Sequence, residues 1–478
     1  MKKKYVRWTL WTIASPFILF IILCILIYLP PIQNFLVDKA AVYASEATGM
    51  NISVERISLS FPLNLVVTNV DAASPHNDTL LSVRRLQVNV QLLPLLKKQV
   101  EVDGISLQGA TVNSNDLIHG MKLNGTLGEL FISSHGVALD PETAIVNKVL
   151  LKDTDLSLCL NDTAAADTAA SDTTYWKIIL QDIDLQNVSF ALDMPLDSLS
   201  LAASLDNAIL RDGLIDLHKS AYSLQTFRIE NGRVRYDNGK PLAADSLSSG
   251  LDPSHIALTD IGVKLDSLYY GGRNMKAIIS QFVLKERSGV EIVSATGRMV
   301  SNDKVLRVPS LKLETRDSYL ELNAAMDWNA LDFKDEGLVS ARLMADIGKP
   351  DVVRFMGSMD EKFIRQYPSE PLRIRTGIDG DLNKLKLTTL TAELPGALGL
   401  FARGELTHLT DSLLRGGDIT LEAETKDLKF VSTLAEGIEI PYGTRLEGKF
   451  TMAGTKMGTD LLLMQPEAQA VVAADTIP

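Results

Sequence analysis

The stretch Ile183-Asp184-Leu185-Gln186-Asn187-Val188-Ser189-Phe190-Ala191-Leu192 decides the fold. Apolar side chains alternate with polar ones at Ile183 and Leu185, Asn187 intervenes, and the alternation resumes at Val188, Phe190 and Leu192. A period of two marks a strand with one apolar and one wet face. Asparagine tolerates the backbone conformations that turns need, so the stretch reads as strand, short polar turn, strand.

The same pattern recurs along the chain. Ile105 and Leu107 lead to Gly109-Ala110 and Val112, and Leu156, Leu158 and Leu160 alternate with Asp155, Ser157 and Cys159. Phe227 and Ile229 precede Asn231-Gly232, Val234 and Tyr236. Leu311 and Leu313 precede Asp317, Leu320 and Leu322, and Ile419, Leu421 and Ala423 close the series. Such strands bury one face only. The prediction is a mainly β fold, an elongated antiparallel β-groove with few helices, over residues 49–466. One helix is predicted over 351–367, after Pro350 and with Asp351 as N-cap, because Val352, Phe355, Met356, Met359, Phe363 and Ile364 fall at helical spacing. The Ala, Asp, Thr and Ser of residues 161–174 read as an exposed mobile loop, and 467–478 as a weakly patterned tail. Leu92 to Lys98 reads as a strand connection in preference to a membrane-surface segment.

A one-sided sheet must cover its apolar face with a second sheet, with helices or with an apolar ligand. Alternation leaves a dry core and a lipid-filled trough equally open, because Leu, Ile and Val serve both. Ile105, Leu107, Leu156, Leu158, Ile183, Leu185, Leu311 and Leu313 are the candidate groove positions.

Upstream, Lys2, Lys3, Lys4 and Arg7 precede a run from Trp8 to Pro31 without a charged side chain. That length matches the roughly 20 apolar residues that cross a bilayer. The basic flank puts residues 1–8 in the cytoplasm, 9–31 in the inner membrane as a single-pass anchor, and the bulk of the chain in the periplasm. A cleaved signal fits less well, since the run is long and Leu29-Pro30-Pro31-Ile32 offers no small-residue cleavage site. Cys24 sits mid-span between bulky neighbours, which argues against a lipoprotein. Residues 32–48 read as an amphipathic helix closed by Gly49 in a left-handed conformation.

The chemistry-bearing residues are sparse. The chain has 478 residues, a net charge of -12 and two cysteines, Cys24 and Cys159. The acidic balance disfavours nucleic acid as a partner. The closest pair among the six histidines, His119 and His135, is too far apart for a local metal motif. Asp379, Asp381 and Asn383 mimic the start of a calcium loop, but Lys384 and Leu390 stand where glycine and glutamate belong. Ser301 and Lys304 have a hydrolase-like spacing without its companion motifs, and Asn302-Asp303 reads as a turn. No catalytic, cofactor or metal residues are assigned, and the chain is not read as an enzyme.

The runs Thr48 to Val70, Leu81 to Val90, Leu92 to Leu96 and Val100 to Val112 resemble, in that order, the opening of AsmA/TamB-like proteins of the Bacteroidetes type. There too an anchor and a short helix end at Thr-Gly, before two strands and an asparagine-hydrophobic turn. The resemblance is closest over residues 1–115 and looser to about 450. It implies an inner-membrane-anchored β-taco that carries phospholipid between inner and outer membrane. It also implies a second role in outer-membrane protein assembly, as a translocation and assembly module subunit with an Omp85-type barrel partner. The distinctive C-terminal β-domain of the family is absent here, so the chain reads as a fragment or a shorter member.

Overall fold

The computed structural model describes residues 49–60, 64–74, 79–90, 102–114, 120–138, 142–161, 175–240, 250–334, 337–356, 361–433, 441–465 and 468–477, with a few positions between 39 and 46. The predicted anchor 9–31, its basic flank Lys2, Lys3, Lys4 and Arg7, the segment 92–98 and residues 162–174 lie outside the described residues. Among the described residues no helix is long and apolar enough to cross a membrane. Residues 39, 41, 42, 45 and 46 are helical. Gly49 has φ +70°, and its N–H donates to the Ser45 carbonyl at 2.9 Å. That is the left-handed helix end expected of a glycine there.

The chain divides into two units, residues 1–218 and 219–478. The first carries β1 (Asn51–Ser60), β2 (Asn64–Ala73), β3 (Thr79–Val90), β4 (Val102–Asn113), β5 (Met121–Ala138), β6 (Thr143–Leu160), β7 (Lys177–Met194) and β8 (Leu199–Asp216). Each pairs with the next in sequence. The second carries β9 (Ala221–Leu224), β10 (Thr226–Asp237), β11 (His255–Gly271), β12 (Asn274–Glu286), β13 (Glu291–Ser301), β14 (Val305–Thr315) and β15 (Tyr319–Asp327). It continues through β16 (Leu338–Ile347), β17 (Leu372–Asp381), β18 (Lys384–Leu394), β19 (Leu398–Thr407), β20 (Gly416–Thr425), β21 (Arg445–Ala453), β22 (Lys456–Gln465) and β23 (Ala468–Ile477). β9 and β10 share the edge of β11, and from β11 to β23 every strand pairs antiparallel with its successor. The mainly β expectation therefore holds.

Four local expectations are corrected. First, Gly109, Asn187 and Asn231 do not turn hairpins. Each lies inside one continuous strand, β4, β7 and β10, with φ of 62°, 51° and 53°. A single left-handed residue between extended ones kinks a strand and shifts its alternation by one, without reversing the chain. Second, β6 and β7 run parallel, so the meander is not antiparallel throughout. Third, the helix expected over 351–367 is two, α2 (Lys349–Met356) and α3 (Glu361–Gln366), following a short α1 (Trp328–Leu331). Fourth, the tail contains β23. The turns at Asn302-Asp303 and Asp317 form as expected, between β13, β14 and β15.

Among the described residues, the clustered buried core lies at strand ends of the second unit. Phe363 and Tyr367 at α3 pack on Leu394, Ala397, Leu428 and Phe430, with ring centroids 5.2 to 5.8 Å apart among the three aromatics. These helices cap the β18–β19 and β20–β21 ends and do not lie across the sheet face. Asp351 is not an N-cap. Its carboxylate is 1% exposed and accepts hydrogen bonds from the Thr315 hydroxyl, the Ser318 hydroxyl (2.6 Å) and Arg354 (3.0 Å). Arg354 also reaches Asp317 at 2.8 Å. This network bolts α2 to the β14–β15 turn.

Candidate functional site

Residues paired across neighbouring strands point to the same side of a sheet. In the first unit Leu59, Leu65, Val88, Ile105, Ile132, Val149, Ile183 and Leu210 are register partners from strand to strand, one per strand. The next row on that side is Ile57, Val67, Leu86, Leu107, Leu130, Leu151, Leu185 and Ala208. Beyond the kinks, Leu156 pairs with Phe190, and Leu158 pairs with Leu192 and Leu123. The six first-unit groove candidates therefore lie on one continuous aliphatic face.

The kinks explain how. Asn69, Gly109, Asp153 and Asn187 have φ of 49°, 62°, 49° and 51°. They fall on one line across the sheet, together with Glu55, Arg84, Gly128 and Asp206, where the register skips a residue on every strand. Without this seam, strict alternation would send Val188, Phe190 and Leu192 to the opposite side. Side-chain bonds hold it: Asn187 Nδ2 donates to Asp153 Oδ1 at 2.9 Å, and Asn69 Nδ2 donates to Glu55.

The opposite side carries Arg56, Thr68, Arg85, Gln108, Glu129, Lys152, Gln186 and Asn207 in one row. Arg211 pairs there with Asp182 and, at 2.8 Å, with Asp184. Val66, Phe131, Leu150 and Ile209 in one row, and Ile145, Ile179 and Leu214 in another, interrupt its polarity.

A dry sandwich core leaves its leucines and isoleucines almost wholly buried. Here none of the Leu, Ile or Val side chains in the two rows is buried, and Ile105 is 37% exposed. Ala72, Ala110 and Ala208 are buried on this face, as is Val83, the register partner of Ala110. The one polar group buried in the field is Thr154, whose hydroxyl donates to the Lys152 carbonyl at 3.2 Å.

The second unit repeats the arrangement. Leu311, Leu322, Leu343, Thr376, Leu390, Ala402 and Leu421 follow one register line, and Leu313, Leu320, Ala345, Ile374, Ala392, Leu400 and Ala423 the next. Leu311 and Leu313, the remaining candidates, therefore also face an apolar field. On the other side a depression of about 510 Å³ near Gly399 is lined by Glu393, Glu422, Glu424 and Glu447, with Arg445 3.5 Å from Glu424. That lining suits water better than hydrocarbon. Among the described residues no group of three or more His, Cys, Asp or Glu converges to hold a metal.

No family model matches the chain, and no curated protein matches it.

Sequence reasoning identified the apolar positions but missed the seam that unites them. Its signal was present on β2, β4, β5, β6, β7 and β8, where an Asn, Asp or Gly stands in the slip, as Asn187 does between Leu185 and Val188, but not on β1 and β3, where Glu55 and Arg84 stand there.

Proposed function

We propose that this chain is an envelope carrier in which the apolar sheet face holds phospholipid acyl chains and passes them between inner and outer membrane. One observation carries the reading: two aliphatic rows run uninterrupted through eight strands, and their large side chains are only partly covered. An aliphatic surface without polar anchors offers no recognition to a polar substrate, and it matches hydrocarbon in kind. The basic, then uncharged run from Lys2 to Pro31 supports a single-pass inner-membrane anchor with the sheet in the periplasm. The resemblance to AsmA/TamB-like proteins points the same way. No catalytic role is assigned.

The test is phospholipid transfer between donor and acceptor vesicles. Leu107→Asp and Leu185→Asp each put a carboxylate into the field and are expected to abolish transfer, while Gln186→Glu on the wet side leaves it intact. Equal transfer by all three would end the carrier reading. A second reading, an assembly factor for outer-membrane proteins, follows from the same resemblance to AsmA/TamB-like proteins. It predicts binding of unfolded barrel strands and indifference to lipid.

A further inference from the structure

In the second unit the turns after β15, β17, β19 and β21 all lie at one end of the strands, because the pairing there is antiparallel throughout. These turns are fused into one rim. Ala330 of α1 packs with Val339 and Leu382, and Leu409 packs against that cluster. The Leu409 N–H donates to the Leu382 carbonyl at 2.8 Å, and the His408 N–H to the Asn383 carbonyl at 3.1 Å. The Gly454 N–H donates to the Arg415 carbonyl at 2.6 Å and ties in the last turn.

On this rim the largest apolar side chains point outward. Phe333 is 77% exposed, Leu413 82%, Leu414 63% and Met457 60%. They are held out by the backbone. Phe333 has φ 56° and is the only aromatic residue with a positive φ among the described residues. That conformation is strained for a bulky side chain and persists where the surroundings impose it. Here the Phe333 N–H donates to the Ala330 carbonyl at 3.1 Å and the Lys334 N–H to the Asn329 carbonyl at 2.7 Å. The Asp411 carboxylate accepts from the Leu413 N–H at 2.8 Å and the Leu414 N–H at 3.2 Å, which fixes the second tip. At strand spacing, Phe333 stands about 19 Å from the leucine tip along the rim, and Met457 about 10 Å beyond it.

The charges on the rim are sorted as well. Its carboxylates are engaged at the turns: Asp381 accepts from the N–H groups of Asn383 and Lys384, and Asp332 from Arg273 at 3.0 Å. Its lysines, Lys334, Lys384 and Lys456, are exposed beside the apolar tips. Apolar tips backed by lysines match a bilayer surface, where the tips enter the acyl boundary and the ammonium groups stay among phosphates. A protein partner would need a separate pocket for each of three spaced projections, whereas a fluid bilayer takes them all.

We infer that this rim docks on the acceptor membrane, with Phe333, Leu413, Leu414 and Met457 entering its surface. The inference rests on the carrier reading above and supplies its unloading step. The uncharged run from Trp8 to Pro31 accounts for contact with one bilayer only, and cargo has to leave into another.

The experiment reconstitutes the full chain in vesicles of phosphatidylethanolamine and phosphatidylglycerol, with a fluorescent amino acid at position 333, 413 or 457. Acceptor vesicles of the same lipids carry a nitroxide on a transmembrane peptide, which a lipid carrier cannot move. Acceptors are expected to quench all three positions several-fold more than positions 355 and 442. Phe355 and Tyr442 there are exposed at the other end of the strands, and neither has a left-handed backbone. Leu413→Ser combined with Leu414→Ser alters only exposed side chains, so urea unfolding should be unchanged, while quenching at 333 and lipid transfer should both fall several-fold. Quenching that is absent at the tips, equal at the control positions, or seen only with the peptide in the chain's own vesicles overturns the docking rim. If transfer persists in that case, the carrier reading survives. Tip quenching without any transfer supports the rim and overturns the carrier reading.

Discussion

Asn187→Val tests the seam on which the apolar face depends. Asn187 sits at φ 51°, where a β-branched residue is strained by about 1–2 kcal/mol. The substitution also removes the 2.9 Å bond to Asp153, worth about 0.5 kcal/mol at so exposed a site. The expected loss is about 2 kcal/mol, roughly a 30-fold rise in the opening of β7. Asn187→Gly loses the same hydrogen bond but adopts the conformation freely, with an entropic cost of about 0.5–1 kcal/mol. Its effect should be near 1 kcal/mol, about fivefold. Hydrogen exchange of the amides from Lys177 to Met194 reads both. Valine should also weaken lipid capture at Leu192, because relaxing the kink turns Val188, Phe190 and Leu192 to the wet side. A valine variant no more labile than the glycine variant would refute the claim that a left-handed backbone at this position sets which face is apolar.

Three further outcomes follow from the second unit. Phe363→Ala empties a site that is 2% exposed and packed on two aromatic rings, so α3 should detach at a cost of about 3–5 kcal/mol, read as local protease sensitivity near residue 363. Asp351→Ala strands two hydroxyls and Arg354, and should cost about 3 kcal/mol in urea unfolding of the second unit. Asp252 accepts from His255 at 2.8 Å and from the Ser254 N–H at 2.9 Å, and these bonds hold its carboxyl below its ordinary range. A lowered folded-state pKa gives stability that is complete above the unfolded value of about 3.9 and disappears as pH falls through the folded value. The loosening of the β10–β11 hairpin below about pH 4, followed by NMR, should therefore be absent in Asp252→Asn, which is already loosened at neutral pH.

What was legible in the sequence follows from range. Alternation at Ile183–Leu185 or Leu311–Leu313 is a local property of extended chain, so the mainly β character and the shared apolar side of the candidate positions could be read directly. Asn187 could not be assigned its role locally, because a left-handed asparagine serves a hairpin and a kink equally. The choice depends on whether neighbouring strands carry matching kinks, as Asp153 and Gly109 do. The parallel β6–β7 pair was equally hidden, since the partner of a strand end is set by long-range register. The break between α2 and α3 escaped for another reason. Asp351 looked like a cap in sequence, whereas its real partners, Thr315 and Ser318, are more than thirty residues away.

The most direct test of the carrier reading is lipid mass spectrometry on residues 49–478, produced in cells and purified without detergent. Stoichiometric phospholipid retained through gel filtration is the predicted result, since aliphatic rows only partly covered by protein should remain covered by acyl chains. A folded, monomeric, lipid-free protein would contradict it, and would mean that the chain closes its apolar face on itself.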